Sequence, residues 1–208
     1  IAAVSAQGPI LNDDGGSILL YKTTGVEVGD EVTVTGTISS YNYGFQIQSA
    51  AVEKTGSTTV TYPEPMDLTG AKMDELLTTR TADEYAYYAK MTGTVAVSGN
   101  YYNFNVPGAE TAVGSVYGAT DELKAELTDG LACTLYGYFC SISKSGGAPK
   151  FINMIVTDVV PAAATASTFA APKVVSEKMY AYFKYNGTYQ GKTIKQENNL
   201  GAAYTIAD

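Results

Sequence analysis

Hydrophobic and polar residues alternate with a period of two through the first sixty positions, the spacing of strands that bury one face. Gly16-Ser17-Ile18-Leu19-Leu20-Tyr21 reads as a short apolar strand, the segment from Glu31 to Ser39 as a half-buried one, and Phe45-Gln46-Ile47-Gln48 alternates again. Asn12-Asp13-Asp14-Gly15-Gly16, set between two apolar runs, predicts a tight hairpin turn whose glycines take positive φ. Gly25 and Gly29-Asp30 bound the next loop. The count comes to about five strands by residue 62.

Pro63-Glu64-Pro65 then interrupts the alternation, because proline cannot donate to a sheet ladder. Thr69 is placed to cap a short helix carrying Met73, Leu76 and Leu77 on one face. The segment 63–83 is therefore the expected boundary between a first module, 1–62, and a second, 84–160. In the second, strands resume with the run from Tyr88 to Val97 and with Tyr101-Tyr102-Asn103-Phe104-Asn105-Val106. Thr120 is an N-cap candidate for a second helix, with Asp121 and Glu122 in its first turn, where the dipole favours them, and Leu123 and Leu127 on one face. Beyond residue 160 the pattern changes. Pro161 to Thr168 is a small-residue linker, Lys178 to Tyr185 an aromatic run, Asn186-Gly187 a turn signal and Ala203 to Ile206 a closing strand. Residues 161–208 are expected to form a linker and a β-hairpin extension.

The two modules share an order of elements. Gly16-Ser17-Ile18 to Tyr21, then Gly29 to Gly36, then Phe45-Gln46-Ile47 recurs as Gly114-Ser115-Val116-Tyr117, then Gly130 to Gly137, then Phe151-Ile152. Three matched elements favour a duplication over chance reuse of glycine-bounded strands. A helix occupies the connection in the second copy and a loop in the first.

A five-stranded unit with a helix between its third and fourth strands is the layout of an OB-fold barrel. The expected fold class is all-β: two OB-like five-stranded barrels with short helices, plus a β-rich C-terminal extension. The run from Gly8 to Tyr21, followed by Val28 to Gly36 and by Tyr41 with Phe45-Gln46-Ile47, resembles the OB-fold modules of secreted nucleases and of surface lipoproteins of Gram-negative anaerobes. The resemblance runs from residue 1 to about 160 and is strongest in the first module. It implies the fold and an envelope or extracellular location. Nucleic-acid binding is implied by label alone, since OB folds also bind sugars and proteins. The sequence shows neither the catalytic domain of such a nuclease nor the N-terminal Cys of a mature lipoprotein. It opens on Ile1, so a processed or trimmed start is expected.

Composition narrows the chemistry. Only 16% of the 208 residues are charged, against roughly 25% in average soluble proteins. The chain has 17 Tyr and 21 Gly but no His and no Trp, which removes the commonest general base, the Ser-His and Cys-His arrangements and every zinc site containing His. A net charge of −8 repels phosphate backbones and anionic headgroups, so nucleic acid is a disfavoured partner. No apolar run approaches the ~20 residues of a membrane helix. Cys133 and Cys140 fall on one predicted strand, ~23 Å apart on opposite faces, and read as two unpaired buried thiols.

Asp13 and Asp14 fit turn chemistry better than calcium ligation, since the alternating oxygens and distal Glu of an EF-type loop are missing. Glu27, Asp30 and Glu31 fit a solvated loop better than the paired carboxylates of a glycosidase. Cys133 has no basic neighbour to form its thiolate. Lys144-Ser145-Gly146-Gly147 lacks the order of a phosphate-binding loop and reads as a hairpin turn. No catalytic residue, metal or cofactor is expected. The informative set is aromatic: Tyr21, Tyr41, Tyr43 and Phe45 in the first module, and Tyr101, Tyr102, Phe104 and Tyr117 in the second, on or near the strands that form an OB binding face. No Lys or Arg lies between Tyr101 and Tyr117, which argues against single-stranded DNA. The expectation is a non-catalytic extracytoplasmic binding protein with a carbohydrate or protein ligand. The alternative is a structural subunit that self-associates by adding a terminal strand to an open sheet edge.

Overall fold

The first predicted turn forms where Asp13 Oδ1 accepts the Gly15 amide at 2.7 Å. Gly16 follows at φ 130°, and β1 (Ile10–Asp13) folds back on β2 (Gly16–Leu20). The computed structural model describes residues 1–163 and, beyond them, only four short strands. Among the described residues no helix is long and apolar enough to cross a membrane.

The loop after β2 leads to β3 (Asp30–Tyr41), which pairs antiparallel with β4 (Gly44–Ser57). Their two-residue connection, Asn42 and Tyr43, is left-handed at both positions (φ 52° and 61°), the geometry that matches strand twist in tight hairpins. β4 also runs parallel to β2, giving a four-stranded sheet in the order β1-β2-β4-β3. This sheet is open. The expected first module had five strands in a closed barrel; here β3 is an edge, and the residues ahead of β1 add a single bridge, Ala3 to Ile10.

After the prolines, β5 (Met66–Asp67) and α1 (Gly70–Thr79) follow, the helix capped by Thr69 as its sequence predicts. Met73 and Leu76 are buried and Leu77 partly so. The chain then builds β6 (Tyr87–Ser98), β7 (Tyr101–Asn105), β8 (Val113–Val116), α2 (Asp121–Glu126, capped by Thr120), β9 (Ala132–Ser145) and β10 (Ala148–Pro161). The sheet order β6-β7-β8-β10-β9 returns to β6, so five strands close a ring. All its pairs are antiparallel except β8 with β10. Met91, Val95, Phe104, Leu135, Phe139, Ile142, Ile152 and Met154 fill it, and burial of each of its larger side chains stabilises by about 1.5–3 kcal/mol.

The open sheet and the ring pack as parts of one compact unit, Ile1–Ala162. A second apolar cluster includes Ile10 and Leu19 of the open sheet with Tyr138, Cys140 and Ile155 of the ring. Position 44, the first of β4, is glycine at a close approach to β9: a Cβ there would lie 2.0 Å from the Cys140 carbonyl oxygen. Arg80, at the end of α1, is buried beside this junction: Nε donates to the Tyr43 carbonyl at 2.8 Å and Nη2 to the Glu84 carbonyl at 3.2 Å. Both cysteines are free and buried, Cys133 in the ring core and Cys140 in the junction cluster, as their spacing predicts.

The matched glycine intervals fall on β3 and β9, each leading an antiparallel hairpin of long strands. In both halves the second strand of that hairpin also pairs parallel with the strand before the connection. Residues 163–208 form a separate unit, in which β11 (Lys173–Val175) pairs with β12 (Lys178–Tyr180) and β13 (Gly187–Tyr189) with β14 (Lys192–Ile194). The expected turn at Asn186 and closing strand Ala203 to Ile206 lie outside the described residues.

Candidate functional site

The eight candidate aromatics separate by location. Tyr101, Tyr102 and Tyr117 line one groove of about 620 Å³ on the ring. Tyr101 starts β7 directly after the Gly99–Asn100 turn and is 73% exposed, while Tyr102 is half-buried against the ring core. Phe104, two residues beyond Tyr102, is fully buried: it fills the ring interior and offers no face to a ligand. Tyr117 follows β8, and its amide donates to the Met154 carbonyl at 2.8 Å, which holds its backbone beside β10. Burial holds its hydroxyl well above the usual phenol range, with Cys140, Tyr41 and Tyr21 nearby adding to the shift.

Tyr21 lines a second, shallower groove of about 610 Å³ with Lys22, Thr23, Thr24, Gln48 and Ser49. Tyr41 is 50% exposed. Tyr43 packs against the ring core beneath Lys144, whose Nζ lies 5.3 Å from its ring centroid. Phe45 belongs to the apolar cluster of the open sheet and meets Tyr85 at 5.2 Å.

Polar partners complete the larger groove from distant parts of the chain. Asn100 and Asn103 come from the β6–β7 turn and β7, Ser115 from β8, Gln7 from the N-terminal segment, and Ser143 and Asn153 from the β9–β10 hairpin. Asn153 is 1% exposed, and its Nδ2 donates to Ser141 Oγ at 2.9 Å and Ser143 Oγ at 2.6 Å, so the groove floor is held rigid. Lys124 of α2 and Lys144 of β9 also reach the rim. The stretch between Tyr101 and Tyr117 is indeed free of lysine, but folding supplies two from elsewhere. Lys124 is partly neutralised by Asp121 at 2.8 Å. Among the described residues no Asp or Glu lines the groove.

No known protein family, curated protein or solved structure matches this chain. The groove's chemistry therefore carries the functional argument. Tyrosine rings there present apolar faces beside the amides and hydroxyls of Asn100, Asn103 and Ser115.

The acidic candidates have structural work. Asp30 is buried, pairs with Lys54 at 2.5 Å and accepts the Glu27 amide at 3.0 Å; the Lys54 contact is the main reason its carboxyl sits below the usual range. Asp13 closes the β1–β2 turn. Among the described residues no group of three or more His, Cys, Asp or Glu could hold a metal ion. The asparagines and serines of the groove were not singled out by the sequence, because isolated polar residues on strands carry no local signal until the fold gathers them.

Proposed function

We propose that this chain is a non-catalytic, extracytoplasmic binding module that takes a carbohydrate along the groove of Tyr101, Tyr102 and Tyr117. The observation that carries the reading is the place of that groove on the ring. With β6 as first strand, the ring runs 1-2-3-5-4 and back to 1, with a helix between strands three and four, a layout that supports an OB-like reading. OB folds bind oligosaccharides and oligonucleotides on the face of strands two and three, between the loops that follow strands one and four. Here those are β7 and β8, the Gly99–Asn100 turn and the β9–β10 turn, and Asn100, Tyr101, Tyr102, Ser115 and Lys144 line the groove from them or beside them. On this reading the open sheet is a second, incomplete copy of the module. A carbohydrate is favoured over nucleic acid because, among the described residues, two lysines line the groove, one of them paired, on a chain of net charge −8. The extracytoplasmic location rests on the low charge and the abundance of Tyr and Gly.

The test is binding of the whole chain to a glycan array and to oligonucleotides at low salt, with Tyr101→Ala as control. Sugar binding lost in that variant supports the reading. Tight, salt-sensitive DNA binding with no sugar binding would replace it.

A second reading, assembly of copies by strand addition, is favoured by one observation. Among the described residues β3 has no strand on its outer side, Ile1 meeting it only at Gly29 and Asp30, and Ile38 (58% exposed) lies on that strand at the rim of an apolar depression on the sheet face. Mass by light scattering after sizing chromatography tests it: a concentration-independent monomer rules it out.

A further inference from the structure

We infer that the Tyr21 groove is a second sugar subsite continuous with the Tyr101 groove, so that one extended oligosaccharide spans both. The inference rests on the carbohydrate reading and names the ligand's length class. Tyr21 and Tyr117 hold the same station in the two halves. The Tyr21 amide donates to the Ile47 carbonyl at 2.9 Å, just as the Tyr117 amide donates to that of Met154 at 2.8 Å. In each case the tyrosine leaves the strand that runs parallel to the last strand of its half, β2 on β4 and β8 on β10. The next residue is left-handed in both, Lys22 at φ 56° and Gly118 at φ 69°. A glycine adopts that conformation freely and a lysine does not, so the groove around Tyr21 keeps a backbone geometry that its sequence disfavours. Ser49, on the opposite wall, is also left-handed at φ 51°.

The two grooves are neighbours. Between them lies a single loop, in which Ala6 donates to the Gly118 carbonyl at 2.8 Å and the Gln7 carbonyl accepts from Lys22 at 2.8 Å. Gln7 itself lines the larger groove. Tyr21 and Tyr41 both lie close enough to Tyr117 to raise its phenol further. Tyr117 and Tyr21 both pack, partly buried, against the same apolar cluster where the two halves meet. The grooves are alike in volume, about 620 and 610 Å³, and polar side chains edge the smaller one as they do the larger: Thr23, Thr24 and Gln48 there.

The experiment is calorimetric titration of the full chain with malto-, cello-, xylo- and manno-oligosaccharides, from disaccharide to decasaccharide. Affinity is expected to climb by about tenfold or more once the oligomer outgrows the first groove, because the second contact is then intramolecular. Tyr21→Ala should remove that climb while short oligomers bind as to the parent chain. Gln48→Ala, at an exposed position, should reduce it without any effect on folding. Tyr101→Ala should weaken every length. Equal affinity for short and long oligomers, or a length dependence untouched by Tyr21→Ala and Gln48→Ala, overturns the second subsite and leaves the first groove standing. Failure of every oligosaccharide to bind overturns both.

Discussion

The guanidinium of Arg80 lies 4.5 Å from the ring centroid of Phe139, with no side-chain exposure of its own, while its Nε donates to the Tyr43 carbonyl. One residue thus ties the end of α1 to the ring core and to the β3–β4 turn. Burial is the main influence on its ionisation and lowers its pKa, yet guanidinium stays charged in proteins; the Tyr43 and Glu84 carbonyls replace water at Nε and Nη2, while Nη1 has no hydrogen-bond partner among the described residues and lies 3.9 Å from Glu84 Oε2. Arg80→Ala removes two such bonds and leaves a cavity. A loss of about 2–4 kcal/mol is expected in urea unfolding. A change below the measurement error would show that the junction does not depend on this residue.

Asp74 of α1 accepts three backbone amides from the β7–β8 connection: Glu110 at 2.6 Å, Thr111 at 2.9 Å and Ala112 at 2.7 Å. The Glu110 and Ala112 bonds are the main causes that hold its carboxyl below the usual range. A depressed folded-state value means the stabilisation is complete above the unfolded carboxylate value and disappears as pH falls through the folded one. Asp74→Asn should therefore cost about 1–2 kcal/mol at neutral pH, modest because the bonds are partly exposed. The gap from the parent chain should close in strong acid. A gap that persists unchanged there would mean that the carboxylate charge is not what matters.

Burial pushes the Cys140 thiol up to about 11, and raises Cys133 as well. Neither presents a thiolate at neutral pH. A chromogenic disulfide reagent at pH 8 should label both slowly in the folded chain and both rapidly after denaturation. Rapid labelling of the native protein would contradict the buried placement.

Tyr101 and Phe104 share β7 but should behave oppositely. Phe104→Ala empties the ring core and is expected to cost about 3–5 kcal/mol. Tyr101→Ala, at a largely exposed position, should stay within about 0.5 kcal/mol while removing ligand contact. Thermal unfolding of the two variants, beside their sugar binding, separates core from platform.

β9 has β6 on one side and β10 on the other, whereas among the described strands β3 pairs with β4 alone, Ile1 meeting it only at Asp30. Amides on the free edge of β3 should exchange with deuterium far faster than those of β9. Equal protection along both strands would show that the β3 edge is covered in solution.

The elements were legible because their causes are local. Thr69 and Thr120 cap helices wherever a hydroxyl precedes an amphipathic turn, Gly146 and Gly147 take the left-handed turn between β9 and β10, and alternation marks β3, β6 and β9. The spacing of Cys133 and Cys140 likewise sufficed to keep them apart. Closure was not legible. Whether a strand has one neighbour or two depends on hydrogen bonds between residues far apart in sequence, so near-identical patterns gave a closed ring in one half and an open sheet in the other. Period two also assigns alternate residues to opposite faces without saying which face is inside. Tyr101 and Phe104 were therefore equal candidates until β6, β9 and β10 enclosed one of them. Only tertiary structure brought Lys124, Lys144, Asn153 and Gln7 to the groove of Tyr101, because a binding surface is a neighbourhood in space and a strand pattern records neighbours along the chain.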